Sequence, residues 1–522
     1  MDSTNHLATG PTAEQWRTIG VRHHHGINVP LFSLHSKNSC GIGEFTDLIP
    51  LIQWCKLVGL DVIQLLPLND SGRESGPYGA LSAFALNPIH LGLAHLQNAS
   101  GLDALQELNK SPRMQFNEVL QLKERWLRDY FSKEGPEIIS SDEYRKFIQS
   151  NQWLRGYSLF KTIKHLRNWQ RWEEWPEELL NLNADALAEL ERTHSKEVQY
   201  HQFAQFLCFQ QFQNVKKAAE DAGVFLKGDI PILINRESAD LWEHRQLFLL
   251  DYTAGAPPDM YSETGQKWGF PLYNWPAVER QDYKWWRHRL KVASSLYHLY
   301  RLDHIVGFFR IFAIPVDKEA KDGFYFPQDE SVWLEHGRKI LTTLVESSPM
   351  LPIGEDLGVI PDGVRPFLAE LGICGTKVMR WERYWHTTKQ FIPVQEYPPE
   401  TMTTVSTHDS DTLAGWWKNY PDEAQLYCDF KGWEYVEDLP IAYLFDILKD
   451  SHRSGSLFHV NLLQEYLALF PELVNPDPNE ERVNVPGTIS DQNWTYRFKP
   501  SVEEIIAHQA LASKVKALVS TH

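Results

Sequence analysis

Four carboxylates stand at or just past the ends of apolar runs: Asp229, Asp303, Glu355 and the Asp409 of Thr407-His-Asp-Ser-Asp-Thr412. A run such as Leu351-Pro-Ile-Gly354 gains nothing from a charge at its end. Burying an unpaired carboxylate is expensive, so each acid needs a partner or a task. The most telling spacing is Arg301-Leu-Asp303. Alternate residues of a strand share a face, which sets a guanidinium beside the carboxylate and keeps it ionised, as a nucleophile requires. Taken alone, such a pair also reads as a structural ion pair at a strand end. A ring of carboxylates has two main uses, holding a divalent metal or cleaving a glycosidic bond. Metal ligation favours histidines clustered with acids at short spacing, whereas His23-His-His25 is a consecutive run whose side chains do not converge on one ion. No metal and no other cofactor is expected. Glycosidic chemistry assigns more of the set: an ionised nucleophile, a protonated acid, and a third carboxylate that binds hydroxyls and favours ring distortion.

The elements that must carry these acids are legible as strands alternating with helices. Ile27–Leu34 reads as a buried strand, and an apolar-periodic helix follows from about Asp47 to Val58, stopped by Gly59. Asp61–Pro67 is then a second strand, completing a β-α-β unit. Further strands are expected over 224–234, 300–303, 351–355, 376–380, 402–406 and 462–469. Eight such strands predict a (β/α)8 TIM barrel, with the acids gathered at the C-terminal mouth and smaller loop subdomains above it. Residues 1–20 read as a polar leader and 21–522 as the barrel, interrupted over 91–220 by a helical insertion. The insertion carries Trp153, Trp169, Trp172 and Trp175, which suit either its own core or a sugar face.

Bulk properties narrow the partner. With 43% apolar and 23% charged residues the chain can bury a large core, and its formal charge of -17 argues against nucleic acid and anionic membrane as partners. The five cysteines are widely spaced without a Cys-x-x-Cys pair, and no apolar run is long enough to span a bilayer, so a cytoplasmic protein is expected. A load of 19 Trp, 20 Tyr and 26 Phe suits sugar rings as well as cores.

Many separate blocks, in order, carry a family likeness: Gly41-Ile-Gly-Glu-Phe45, Pro77-Tyr78, Gly228-Asp-Ile-Pro231, Pro257-Pro-Asp259, Gly265-Gln-Lys-Trp-Gly269, Arg301-Leu-Asp-His304, Gly354-Glu-Asp-Leu-Gly358, Thr407-His-Asp409 and Asn484-Val-Pro-Gly-Thr488 with Asn493-Trp494. From about residue 26 to 500 the chain resembles the 4-α-glucanotransferases of the amylomaltase type, relatives of the α-amylase clan. The resemblance implies transfer of α-1,4-glucan segments between maltooligosaccharides or dextrins, with retention, through a covalent glucosyl-enzyme. A retaining α-glucan hydrolase on the same scaffold is the alternative. It implies Asp303 as nucleophile, Glu355 as acid/base and Asp409 as stabiliser. Arg301 would hold Asp303 ionised, and His304 and His408 would bind hydroxyls. Tyr78 would lie under a sugar ring, with Asp229, Asp259, Gln266, Trp268 and Asn484 along the glucan groove. An unbroken strand would face His304 away from Asp303, so that contact requires the backbone to turn. Residues 257–269 would form a lid with Tyr261 near its tip. The chain departs from the family pattern at Gly76 (usually Ser), Phe270 (usually Asn), Thr376 (within Cys374-Gly-Thr-Lys377, usually Pro-Gly-Met-Lys) and Ser410 (usually Asn). These positions bear on glucan length and on the balance of transfer against hydrolysis.

Overall fold

The computed structural model describes residues 4–258, 263–385 and 387–520. Eight parallel strands form one ring: β1 (His24–Val29), β2 (Val62–Leu65), β3 (Phe225–Ile230), β4 (Leu299–Leu302), β5 (Leu351–Gly354), β6 (Gly375–Val378), β7 (Thr401–Thr404) and β8 (Phe458–Leu462). Each strand pairs with its neighbours in chain order, and β8 pairs with β1. The ring closes between β5 and β6 through a single bridge, Ile353 to Cys374, in which the Gly354 amide donates to the Cys374 carbonyl at 2.7 Å. This is the (β/α)8 barrel expected from the strand count.

Alternate residues of each strand point inward, and their character changes with height. At the bottom, Val62, Leu299, Leu351, Met402 and Phe458 form an apolar plug. Leu7 and Trp16 join it from below, Trp16 lying on the helix Ala13–Ile19, so the stretch read as a polar leader contributes a cap under the strand starts. The Trp16 indole donates to the Gly372 carbonyl at 2.9 Å. One step up lies Lys227, fully buried, its ammonium donating to Gln64 Oε1 at 2.9 Å and lying 3.0 Å from Met402 Sδ. Burial, reinforced by Arg301 above, pushes its pKa down to about 7. Unfolded, the same amine titrates near ~10.4, so between these values the unfolded chain binds the extra proton and folding stability rises with pH. Lys227→Met is expected to raise stability at pH 7 by on the order of 1–3 kcal/mol and to flatten that slope. Melting curves from pH 7 to 10 check this, and an unchanged slope would refute it.

Two expected strands are displaced. β8 covers Phe458–Leu462, while Leu463–Leu467, inside the run read as strand, is helical. β1 starts at His24 rather than Ile27. Of the histidines ahead of Ile27, His24 turns to Asp61, Nδ1 to Oδ2 at 2.8 Å, while His23 and His25 both stack on His459, with centroids 5.3 and 4.8 Å away, His25 Nδ1 also meeting His452 Nδ1 at 2.8 Å.

Outside the ring, helix α1 (Leu48–Val58) ends at Gly59, whose φ of +86° is the left-handed turn that glycine adopts without strain. The long excursion between β2 and β3 carries α2 (Phe116–Ile139), α3 (Asp142–Ser150), α4 (Trp153–Leu166), α5 (Ala184–Thr193) and α6 (Ser195–Ala222). Helix α6 packs on α1 in the barrel's outer layer and also on α4, so one helix serves both the barrel and the excursion. Trp172 and Trp175 are buried in the core, Trp175 against Trp242 with ring centroids 5.6 Å apart. Above the mouth, Tyr252–Ala256, Gln266–Lys267, Ile311–Pro315 and Phe324–Phe326 form a four-stranded antiparallel sheet. No described helix is long and apolar enough to cross a membrane.

Candidate active site

Strand register brings the acids together. β4 and β5 pair Leu302 with Gly354, so the next residues, Asp303 and Glu355, leave the sheet side by side on strands spaced ~4.8 Å apart. On the other flank, β3 pairs Asp229 directly with Arg301. The Arg301 guanidinium lies at the centre: Nη1 is 2.7 Å from Asp303 Oδ1 and 2.8 Å from Asp229 Oδ2, and Nη2 is 3.8 Å from Glu355 Oε2. The ion pair read from Arg-x-Asp is present, and it is one arm of a larger cluster.

His304 has φ +46° and ψ 53°, a left-handed turn that ends the alternation of the strand. Such backbone costs a non-glycine residue ~1–3 kcal/mol and persists where surrounding contacts hold it. Here the turn aims the His304 amide at Glu355 Oε2, 2.7 Å away, and sets its imidazole edge-on to Trp268 with centroids 5.2 Å apart. Burial lowers the His304 pKa, outweighing the pull of Asp303, so the ring is neutral near pH 7.

The acids are held in different protonation states. Burial raises the Glu355 pKa to about 8; Arg301 and the His304 amide oppose this, and the charges of Asp303 and Asp409 add to it. For Asp409 burial acts in the same upward direction, but His408, Asn484 and Arg301 outweigh it and hold the carboxyl at about 2. His408 Nε2 lies 3.1 Å from Asp409 Oδ2, and Asn484 Nδ2 donates to Oδ1 at 2.6 Å. At neutral pH Glu355 is therefore predominantly protonated while Asp409 is charged.

Tyr78 closes the network, its hydroxyl donating to Asp229 Oδ2 at 2.8 Å and lying 3.0 Å from His408 Nε2. Since its one proton goes to Asp229, His408 Nε2 carries the hydrogen in that contact. The Asp229 side chain is 0% exposed, whereas Asp303 and Glu355 are 23% and 20% exposed. Asp229, expected along the groove, is buried here and holds Arg301 and Tyr78. Gln266, on a strand of the antiparallel sheet, accepts from the Trp268 indole at 3.0 Å. Asp259 and Tyr261 lie outside the described residues.

Two residues missed as site residues come from the segment after β8. Trp494 packs on Tyr78 and His408, with centroids 5.7 and 6.0 Å away. Its block, Asn493-Trp494, was the available signal. Arg482 donates to the Asp409 carbonyl at 3.3 Å and pairs with Asp411 at 3.1 Å, and no sequence pattern announced it. The departures also have places. A Cβ on Gly76 would come within 3.2 Å of the Trp494 ring, so the usual serine would press on that indole. Thr376 donates its hydroxyl to the Gly354 carbonyl at 2.9 Å, just before Glu355. Ser410 Oγ accepts from the Thr407 amide at 2.9 Å and tightens the turn carrying Asp409. Phe270 packs against the core.

An eight-stranded parallel barrel whose strand ends gather several acids around one cation is an enzyme of the (β/α)8 class. The family profile of 4-alpha-glucanotransferases matches residues 29–503. A 4-alpha-glucanotransferase of Chlamydia caviae is 43% identical over 98% of both chains, and one of Thermus thermophilus is 30% identical over 86% of this chain and 89% of its own. The amylomaltase of Streptococcus agalactiae, solved in complex with acarbose, shares the fold, with a TM-score of 0.83 and 24% identity over 96% of this chain and 99% of its own. The chain belongs to the 4-alpha-glucanotransferase family.

Proposed function

We propose that Asp303 is the nucleophile, Glu355 the acid/base and Asp409 the stabiliser of a retaining transfer between α-1,4-glucans. Glu355 gives its proton to the glycosidic oxygen as Asp303 Oδ attacks the anomeric carbon; the carbon–oxygen bond breaks and a glucosyl ester forms. The leaving glucan departs carrying that proton. The 4-hydroxyl oxygen of a second glucan then attacks the anomeric carbon of the ester, giving its proton to Glu355; the bond from that carbon to the Asp303 oxygen breaks, which remakes the α-1,4 link and frees Asp303. Charged Asp409 favours the cationic transition state and binds hydroxyls. The observation that carries this reading is the single Arg301 guanidinium reaching both Asp303 and Glu355 at the ends of adjacent strands. Side chains leaving neighbouring strands in register suit the ~5–5.5 Å separation that retention needs. Tyr78, Trp268, His304, His408 and Asn484 surround the trio with the stacking faces and hydrogen-bonding groups a glucosyl ring uses. The five cysteines are all buried and unpaired, which fits a reducing cytoplasm.

Maltotriose supplied alone is expected to yield glucose plus a ladder of longer oligosaccharides, with reducing ends constant. Chromatography of the products checks this. Glucose and maltose alone, with reducing ends rising in step, would instead identify a hydrolase.

A further inference from the structure

A cavity of about 250 Å³ opens on the barrel's flank, where α4 of the excursion meets α7 (Lys284–Ser294), the helix that precedes β4. None of the mouth residues lines it. Its apolar walls are Phe84, Trp153 and Trp285; Phe84 and Trp153 stack at 5.8 Å, and Trp285 meets Phe84 edge-on at 6.0 Å. Trp285 is held in place by its indole, which donates to Asp240 at 3.0 Å.

The polar groups between these walls are the unusual part. Glu243, His244 and His288 are half-buried on the cavity surface, yet among the described residues none forms a side-chain hydrogen bond or ion pair. The Glu243 carboxyl lies directly over Gly156 of α4, where any side chain would collide with it, so the helix leaves room for that acid. Burial, with Asp240 adding to it and Arg155 opposing, raises the Glu243 pKa to about 7. Gln152, Gln281 and Lys284 stand exposed at the rim, also without side-chain partners. A cavity beside α2 and α6 differs: its charged groups Asp70, Lys123, Arg128 and Lys161 already satisfy one another or neighbouring backbone and side chains.

These groups meet only water at a concave aromatic surface, and a ligand's hydroxyls can replace that water bond for bond. Donors and acceptors are mixed: of the two carboxyls, Asp240 is already taken up by the Ala83 amide and the Trp285 indole, which leaves Glu243 against two imidazoles and a lysine, a set that does not single out an ion. Aromatic walls with a mixed polar set suit a neutral ring bearing several hydroxyls. We propose that this cavity is a non-catalytic binding site for one or two glucosyl units of an α-glucan, separate from the mouth. The choice of α-glucan rests on the transfer reading above. The loop connecting the sites is short: it presents Tyr78 to the mouth and Phe84 to the cavity.

The test uses the full-length Asp303→Asn protein, which cannot remodel its ligand, titrated with maltotriose by calorimetry and tryptophan fluorescence. Two classes of site are expected. Adding Glu243→Ala and His288→Ala should weaken one class at least tenfold and leave the other unchanged, with circular dichroism confirming the fold. In the otherwise native protein the same pair should leave the maltotriose ladder at saturating substrate unchanged. A single class, or two classes both insensitive to the pair, overturns the site; equal binding of cellobiose overturns the α-glucan assignment. An absent ladder in the native protein would sink the transfer reading alone, because the titration decides the cavity independently.

Discussion

Asp303→Ala is expected to lower turnover of maltotriose by at least about 10⁴-fold while the protein stays folded, because removing a nucleophile abolishes the covalent route and leaves only binding and electrostatics. The fold should survive, since Arg301 Nη1 keeps its bonds to both Asp229 oxygens, at 2.9 and 2.8 Å. Asp303 is also partly exposed, so the lost side chain leaves a water-accessible gap rather than an apolar void. That gap gives a sharper test. Azide can occupy it and attack the anomeric carbon from the face Asp303 would use, restoring cleavage and yielding the β-glucosyl azide. Steady-state kinetics and product configuration check both statements. Activity within tenfold of the native protein, or an α-configured azide, would remove Asp303 from the nucleophile's role.

The second large effect concerns Glu355. Its carboxyl, raised to about 8 by burial and by the neighbouring acids, is the protonated partner below that pH and loses its proton as pH rises through it. The alkaline limb of kcat/KM for maltotriose should therefore fall near pH 8. Glu355→Gln is expected to remove the limb and reduce turnover by roughly 10²–10⁴-fold, the range general acids contribute. An α-glucosyl fluoride donor needs no proton to expel its leaving group, so its ester-forming step should be nearly indifferent to this change. A Glu355→Gln protein equally crippled on the fluoride would mean that Glu355 does something other than proton transfer.

Much of this arrangement was readable from residue types, for reasons that also explain the misses. Acids ending apolar runs marked the mouth because charge is tolerated there only with partners, and Arg301, Asp303, Glu355 and Asp409 do meet. β8 was misplaced because His459 and Asn461 interrupt Phe458-His-Val-Asn-Leu462 and make it read as half-exposed. In the fold both are fully buried, His459 bonded to the Ser451 carbonyl at 2.7 Å and Asn461 to the Val405 amide at 3.0 Å. The histidines ahead of Ile27 misled in the same way, since their hydrogen bonds come from residues far along the chain. Asp229 was placed along the groove by the family resemblance; its full burial was not legible, because depth within a mouth has no signature in spacing. Arg482 lay in a stretch without periodicity, where no pattern distinguishes a buried contact from a solvated one.

The ring of strands is laced unevenly. Most neighbours share ladders of several residues, but β5 and β6 share one bridge, supplemented by side chains: Asp356 accepts from the Thr376 amide at 2.6 Å, and the Thr376 hydroxyl reaches back to Gly354. A cylinder stitched in this way breathes first at its thinnest seam, because local opening follows the fewest cooperative bonds. That seam ends at Glu355. The proposed proton donor is thus mounted on the most compliant edge of an otherwise stiff cylinder, beside Thr376. Small adjustments of the acid, as it passes from a leaving glucan to an incoming one, can be absorbed there without disturbing the side of the barrel that holds Arg301 and Asp229.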